Sequence, residues 1–206
     1  MPPTPARSVV VFDLGGVLLD WNPRHLYRKL FAGDEAAMER FLAEVCTPDW
    51  NAQQDNGRPF DEAVAALMPV HADKRALIAA WRDRFGEMIP GTLPDTVAIA
   101  AELKARGVPL YALTNWSHET FPGQFPRFEC LSWFAGIVVS GAEKVMKPDP
   151  RVYRILLERY AIDPAAAVFV DDNPVNAQAA TAVGMHGIHF RSAGQLRQEL
   201  AALGLL

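Results

Sequence analysis

The chain has 206 residues, 50% hydrophobic and 21% charged, which suits one substantial globular domain with room for an insert and excludes a disordered tail or a fibre. Twenty Lys and Arg against 24 Asp and Glu give a net charge of −4. With no basic run there is no basis for a nucleic-acid partner, because phosphate backbones need concentrated positive charge. Cys46 and Cys130 make neither a disulfide framework nor a metal spacing, so a reducing cytoplasm is the expected compartment. The N-terminal prolines read as a short frayed leader, not a signal peptide. No stretch approaches the ~20 apolar residues that span a bilayer, and no membrane partner is expected.

Val9–Phe12 is a short β-branched and aromatic run that ends in Asp13-Leu14-Gly15-Gly16. An unbroken apolar run of this length suits a parallel strand buried on both faces. From Asn22 to Ile89 only helical patterns appear, over Pro23–Phe31, Glu35–Cys46, Phe60–Met68 and Lys74–Met88. Asn22-Pro23 supplies a cap and a first-turn proline for the first of them. Trp81, at helical spacing with Leu77 and Phe85, reads as core.

Strand and helix signals then alternate. A helix over Pro94–Arg106, stopped by Gly107, precedes strands at Pro109–Leu113 and Gly136–Val139. Asp149-Pro150 opens a helix to Tyr160, Ala167–Val170 is a strand, and Asn173-Pro174 opens a helix closed by Gly184. His186–Phe190 is a weaker fifth strand. This order predicts an α/β fold with a doubly wound, parallel-sheet, Rossmann-like core and an inserted all-helical cap. The core would comprise residues 1–20 and 90–206 and the cap residues 21–89, hinged at Leu19–Trp21 and Pro90–Thr92.

Four polar signals sit at or just beyond the apolar strands: Asp13, Thr114-Asn115, Lys147 in Lys147-Pro-Asp-Pro150, and Asp171-Asp172-Asn173. One alone reads as a turn or helix cap. Four in order, in a fold that gathers its active site at the carboxyl ends of its strands, point to chemistry.

Those motifs, Phe12-Asp-Leu-Gly-Gly-Val17, Leu113-Thr-Asn115, Lys147-Pro-Asp-Pro-Arg-Val-Tyr153 and Phe169-Val-Asp-Asp-Asn173, resemble the haloacid dehalogenase-like hydrolase superfamily, specifically its phosphatase-type members with a helical cap after the first strand. The resemblance runs from Val9 to Phe190. It implies that Asp13 attacks phosphorus to form an aspartyl-phosphate. It also implies Mg²⁺ held by Asp13, the Gly15 carbonyl and Asp172, with Asp171 acting through a water. Thr114 and amide groups at Asn115 would bind the phosphoryl oxygens, Gly16 would let the backbone approach them, and Lys147 would neutralise charge. Lys144 competes with Lys147, which is preferred because it directly precedes Pro-x-Pro.

One departure stands out. Most phosphatases of the family carry a second aspartate, a general acid and base, two residues after the nucleophile, and here that residue is Gly15, as in some members that resemble active sugar-phosphate phosphatases. Asp20 is a candidate substitute, beside its plainer reading as a hinge residue. Among cap and loop residues, Trp21, Trp50, Asn51, Arg58 and Trp116 are placed where they could face a substrate, and His118 follows the Thr114-Asn115 motif closely. The implied function is hydrolysis of a small phosphorylated metabolite, sugar phosphates included, by a monomer or homodimer. Two alternatives stay open: a metal-free 2-haloacid dehalogenase using Asp13, and a non-catalytic phospho-ligand-binding module. The paired Asp171-Asp172 favours the phosphatase.

Overall fold

The structure, a computed structural model, describes residues 7–206, and the proline-rich leader at residues 1–6 lies outside the described residues. Strands β1 (Val9–Phe12), β2 (Leu110–Thr114), β3 (Gly136–Val139), β4 (Ala167–Asp171) and β5 (His186–His189) form one parallel sheet in the order β3-β2-β1-β4-β5. All neighbours run parallel, and β1 pairs with both β2 and β4. The apolar runs explain this. Val10 and Phe12 face one hydrophobic cluster and Val11 the other, each fully buried.

Between β1 and β2 lie α1 (Arg24–Leu30), α2 (Glu35–Glu44), α3 (Pro48–Asp55), α4 (Phe60–His71), α5 (Arg75–Asp83) and α6 (Pro94–Ala105). Single turns α7 (Phe121–Gln124) and α8 (Ser140–Glu143) precede α9 (Pro150–Arg159), α10 (Pro174–Ala182) and α11 (Ala193–Ala202). Helices α6 and α11 cover one face of the sheet, and α9 and α10 the other. The first cluster continues without a break into the residues of α1 to α5. The chain enters and leaves this helical stretch through two segments that run side by side, with Leu93 N–H on Leu18 O (2.8 Å), Asp20 N–H on Gly91 O (3.1 Å) and Asn22 N–H on Met88 O (2.9 Å). Among the described residues no helix is long and apolar enough to cross a membrane.

Three differences from the sequence reading have local causes. The helix expected over Lys74–Met88 breaks at Arg84, where α5 gives way to a tighter turn over Phe85–Met88. The C-terminal α11, capped by Ser192, carries only Leu196 and Leu200 as buried anchors, too few for a clear period. Helix α3 was unforeseen. Thr47 caps it by accepting from Trp50 N–H at 3.0 Å, Pro48 fits its first turn, and only Trp50 and Gln54 are buried.

Trp50 also corrects an expectation, because its ring is core and does not face a ligand. It is 5% exposed, packs edge-on against Trp81 (5.5 Å between centroids) and Phe60 (6.3 Å), and donates from Nε1 to Ala63 O at 3.2 Å. A ring pinned on three sides has no free face to offer. Trp50→Ala should therefore destabilise the fold by about 3–5 kcal/mol in urea unfolding; a loss under ~1 kcal/mol would contradict a core role.

Candidate active site

The strand order places β1 between β2 and β4, so residues leaving their carboxyl ends converge at the switch point of the sheet. Asp13 follows β1 and is tied to β4 by its N–H on Val170 O (2.8 Å). Thr114 ends β2 and is 2% exposed. Asp171 ends β4 and is fully buried. Lys147 arrives from the loop after α8, and Asn115 holds its backbone on both sides. The Asn115 Oδ1 accepts from Lys147 N–H at 2.9 Å, and its Nδ2 donates to Lys147 O at 3.0 Å. The Asn115 side chain is thus a clamp on the lysine, which leaves only its backbone for the phosphoryl role expected of it.

The Lys147 ammonium is 1% exposed, 2.7 Å from Asp171 Oδ2 and 3.0 Å from Asp13 Oδ2, and it lies 5.5 Å from the centroid of the Phe169 ring. Burying such a charge costs several kcal/mol unless paired carboxylates offset it. Burial acts against the ammonium, but Asp13 and Asp171 outweigh it and its pKa is raised. Asp171 is itself saturated. Its Oδ1 accepts from Asn173 N–H (2.8 Å) and Asn176 Nδ2 (3.1 Å), and its Oδ2 from Lys147. Asp13 accepts from Leu14 N–H at Oδ1 (2.7 Å). Burial lifts the Asp13 carboxyl above the ordinary carboxylate range, Lys147 pulls it down and Asp171 pushes it up.

Asp172 is the exposed member of the pair, and its pKa is raised by burial and then by Asp171. It approaches the loop so closely that a Cβ on Gly16 would lie 2.4 Å from its Oδ2, and Gly16 has φ +73°. Only glycine meets both demands. One carboxylate oxygen each from Asp13, Asp171 and Asp172 lies within 4.8 Å of the others. Such a set of hard oxygen donors fits a small divalent cation.

Asp13, Thr114 and Asp172 line a cavity of about 460 Å³ that Gly15, Gly16, Trp21, Asn51, Asp55 and Trp116 also border. Trp21 stands at 36% exposure. Trp116 is packed against Phe85 (5.6 Å between centroids) and donates from Nε1 to Thr120 Oγ1 at 3.0 Å. Other candidates lie elsewhere. Lys144 takes a left-handed conformation (φ 56°) at the end of α8 and does not border the cavity. Asp20 pairs with His25 Nε2 at 3.1 Å, His118 is exposed, and Arg58 is held by Gln54 Oε1 at 2.7 Å; all three are outside the lining.

Sequence reasoning missed Asp55, Asn176 and Phe85, which line the same space. Asn176 follows the fourth motif by one turn and was within reach of the pattern. Asp55 was not, since it ends a polar helix that had no periodic signal.

A family model described as haloacid dehalogenase-like hydrolase matches residues 8–184. A sesquiterpene phosphatase of Aspergillus oryzae is 27% identical over 95% of this chain and 96% of its own length. The (S)-2-haloacid dehalogenase H-109 of Pseudomonas putida is 32% identical over 53% of this chain and 49% of its own. In fold, the chain is similar to a magnesium complex of a HAD family enzyme from Bacteroides thetaiotaomicron, with TM-score 0.69 and 22% identity over 96% of this chain and 99% of the other. The family match takes in Asp13, Thr114, Lys147 and Asp171-Asp172 together, and the chain belongs to the haloacid dehalogenase-like hydrolases.

Proposed function

We infer that this hydrolase is a Mg²⁺-dependent phosphatase of small phosphorylated metabolites. The observation that carries the reading is the carboxylate trio Asp13, Asp171 and Asp172 gathered around the buried Lys147. The Aspergillus phosphatase and the magnesium-bound fold relative support it. Mg²⁺ held by Asp13, the Gly15 carbonyl and Asp172 would supply the charge neutralisation that lets one anion approach another. Asp171, buried and saturated, orients Lys147.

The rest follows from the chain's own groups. The Asp13 carboxylate attacks phosphorus, a P–O bond forms, and the bond to the substrate oxygen breaks with its electron pair on the leaving group. Thr114 and backbone N–H groups at Asn115 donate to the phosphoryl oxygens, and Lys147 offsets their growing charge at short range. Water then cleaves the aspartyl-phosphate. A cavity of about 460 Å³ matches a small-molecule site, and two free, buried cysteines support a reducing, cytoplasmic setting.

The Pseudomonas dehalogenase favours a second reading, attack of Asp13 on a haloacid carbon. Charge argues against it. Asp172 borders the cavity, and the cation on its rim, Arg24, is engaged by Glu39 at 2.6 and 2.7 Å. A haloacid carboxylate would meet uncompensated negative charge. The retained Asp13–Lys147 pair argues likewise against a module that has lost turnover.

Hydrolysis of p-nitrophenyl phosphate should require Mg²⁺ and cease in EDTA; EDTA-resistant chloroacetate turnover without phosphatase activity would install the dehalogenase instead. Asp13→Asn should lower kcat by about 10⁴-fold or more, because an amide is a poor nucleophile. Near-parent turnover in that variant would remove Asp13 from the chemistry. Lys147→Ala should destabilise the protein by about 3–5 kcal/mol by leaving two carboxylates unpaired, and it should cost far more activity than Lys144→Ala. The reverse order in a side-by-side melt and assay would mean the wrong lysine was assigned.

A further inference from the structure

Position 15 holds glycine where most phosphatases of the family carry a proton donor, and the structure shows what fills the gap. A Cβ built on Gly15 would touch Trp21 Cβ at 3.5 Å and Cγ at 3.9 Å, so the base of the Trp21 side chain occupies the direction a side chain there would take. Across the same cavity stands Asp55, the last residue of α3. The residue is partly buried, and its Oδ2 accepts from Asn51 Nδ2 at 2.8 Å.

The backbone there is fixed to the strand-end loops. Asp55 O accepts from Ser140 Oγ. Two residues on, Gly57 (φ +99°) lies so close to the α8 region that a Cβ would come within 2.9 Å of Lys144 Cγ and 3.0 Å of Gly141 O. Asp55 is therefore an acidic group on the helical side of the cavity that is tethered directly to the sheet side. In-line attack by Asp13 puts the leaving oxygen on the face of phosphorus turned away from the strand ends, toward that wall.

We propose that Asp55 is the general acid and base of this enzyme, taking the place of the aspartate absent at position 15. The inference rests on the phosphatase reading. As the Asp13–phosphorus bond forms, the carboxyl of Asp55 gives its proton to the departing oxygen, which leaves as a neutral alcohol. The resulting carboxylate then takes a proton from the water that attacks the aspartyl-phosphate, which restores the acid and releases phosphate. Burial, and after it the charge of Asp13, pushes the Asp55 carboxyl up to about 7, while the Ser117 backbone N–H, Asn51 and Lys147 pull it down. A value near neutrality suits a group that must both give and take a proton.

The test compares kcat/KM for p-nitrophenyl phosphate and phenyl phosphate, two esters of similar shape whose leaving groups differ in basicity, with Mg²⁺ present. kcat/KM reports the steps up to departure of the phenol, where the acid acts. General acid catalysis contributes ~10²–10⁴-fold to poor leaving groups. Asp55→Asn should therefore raise the nitrophenyl-to-phenyl ratio by about tenfold or more, whereas Asp55→Glu, which keeps a carboxyl, should stay closer to the parent. Should Asp55→Asn fail to fold by circular dichroism, Asp55→Ala, which likewise has no proton to give, should move the ratio in the same direction. An unmoved ratio in the folded variant, with parent activity on both esters, overturns the role of Asp55 and leaves the phosphatase reading intact. A parent protein that hydrolyses neither ester overturns both.

Discussion

The buried ammonium of Lys147, wedged between Asp13 and Asp171, is the interaction on which the rest of the site depends. Neither carboxylate would tolerate its position without the cation, and the cation would not tolerate its burial without both carboxylates. The sheet order exists, functionally, to make this contact, since only adjacency of β1 and β4 brings the two acids to one lysine. Around it lies a shell of fixing contacts. Asn115 grips the lysine backbone, and Asn173 and Asn176 hold Asp171. One ammonium among three carboxylates leaves the strand ends negative, the condition that suits a divalent cation.

What the sequence disclosed follows from where folding leaves a one-dimensional trace. Strands buried on both faces must be apolar throughout, so β1 and β4 were plain as runs. The residues just after them were equally plain, because a polar group at the end of such a run stands out. Helix α3 left no such trace. Only Trp50 and Gln54 point inward, and its start is set by Thr47 and Pro48, which also suit a loop. Missing that helix had two consequences: Trp50 reads as a ring that could face a substrate when it anchors the helix, and Asp55 carries no signal at all. Tertiary packing, not propensity, decides that segment.

Two departures at the site are linked. Glycine at position 15 removes a side chain, and Trp21 fills the direction it would have taken. The indole stands at the mouth, with Phe85 and Trp116 further in, so one wall of the cavity is aromatic while the floor is ionic. Asn51 and Asp55 border the same cavity. An acid supplied from a helix in place of the nucleophile loop would separate proton transfer from phosphoryl binding.

The paired segments around Leu18–Asn22 and Met88–Leu93 have a consequence for how such a molecule can diversify. A long excursion that leaves and re-enters through one short ladder has its ends fixed at nearly the same place whatever lies between them. Helices inside it can therefore be lengthened, shortened or exchanged while the strand termini keep their spacing, because the cost of closing the excursion grows only slowly with its length. An exception is the attachment where Asp55 and Gly57 meet Ser140 and Gly141. A lineage that remodelled this excursion freely would have to preserve that seam, or move its acid elsewhere.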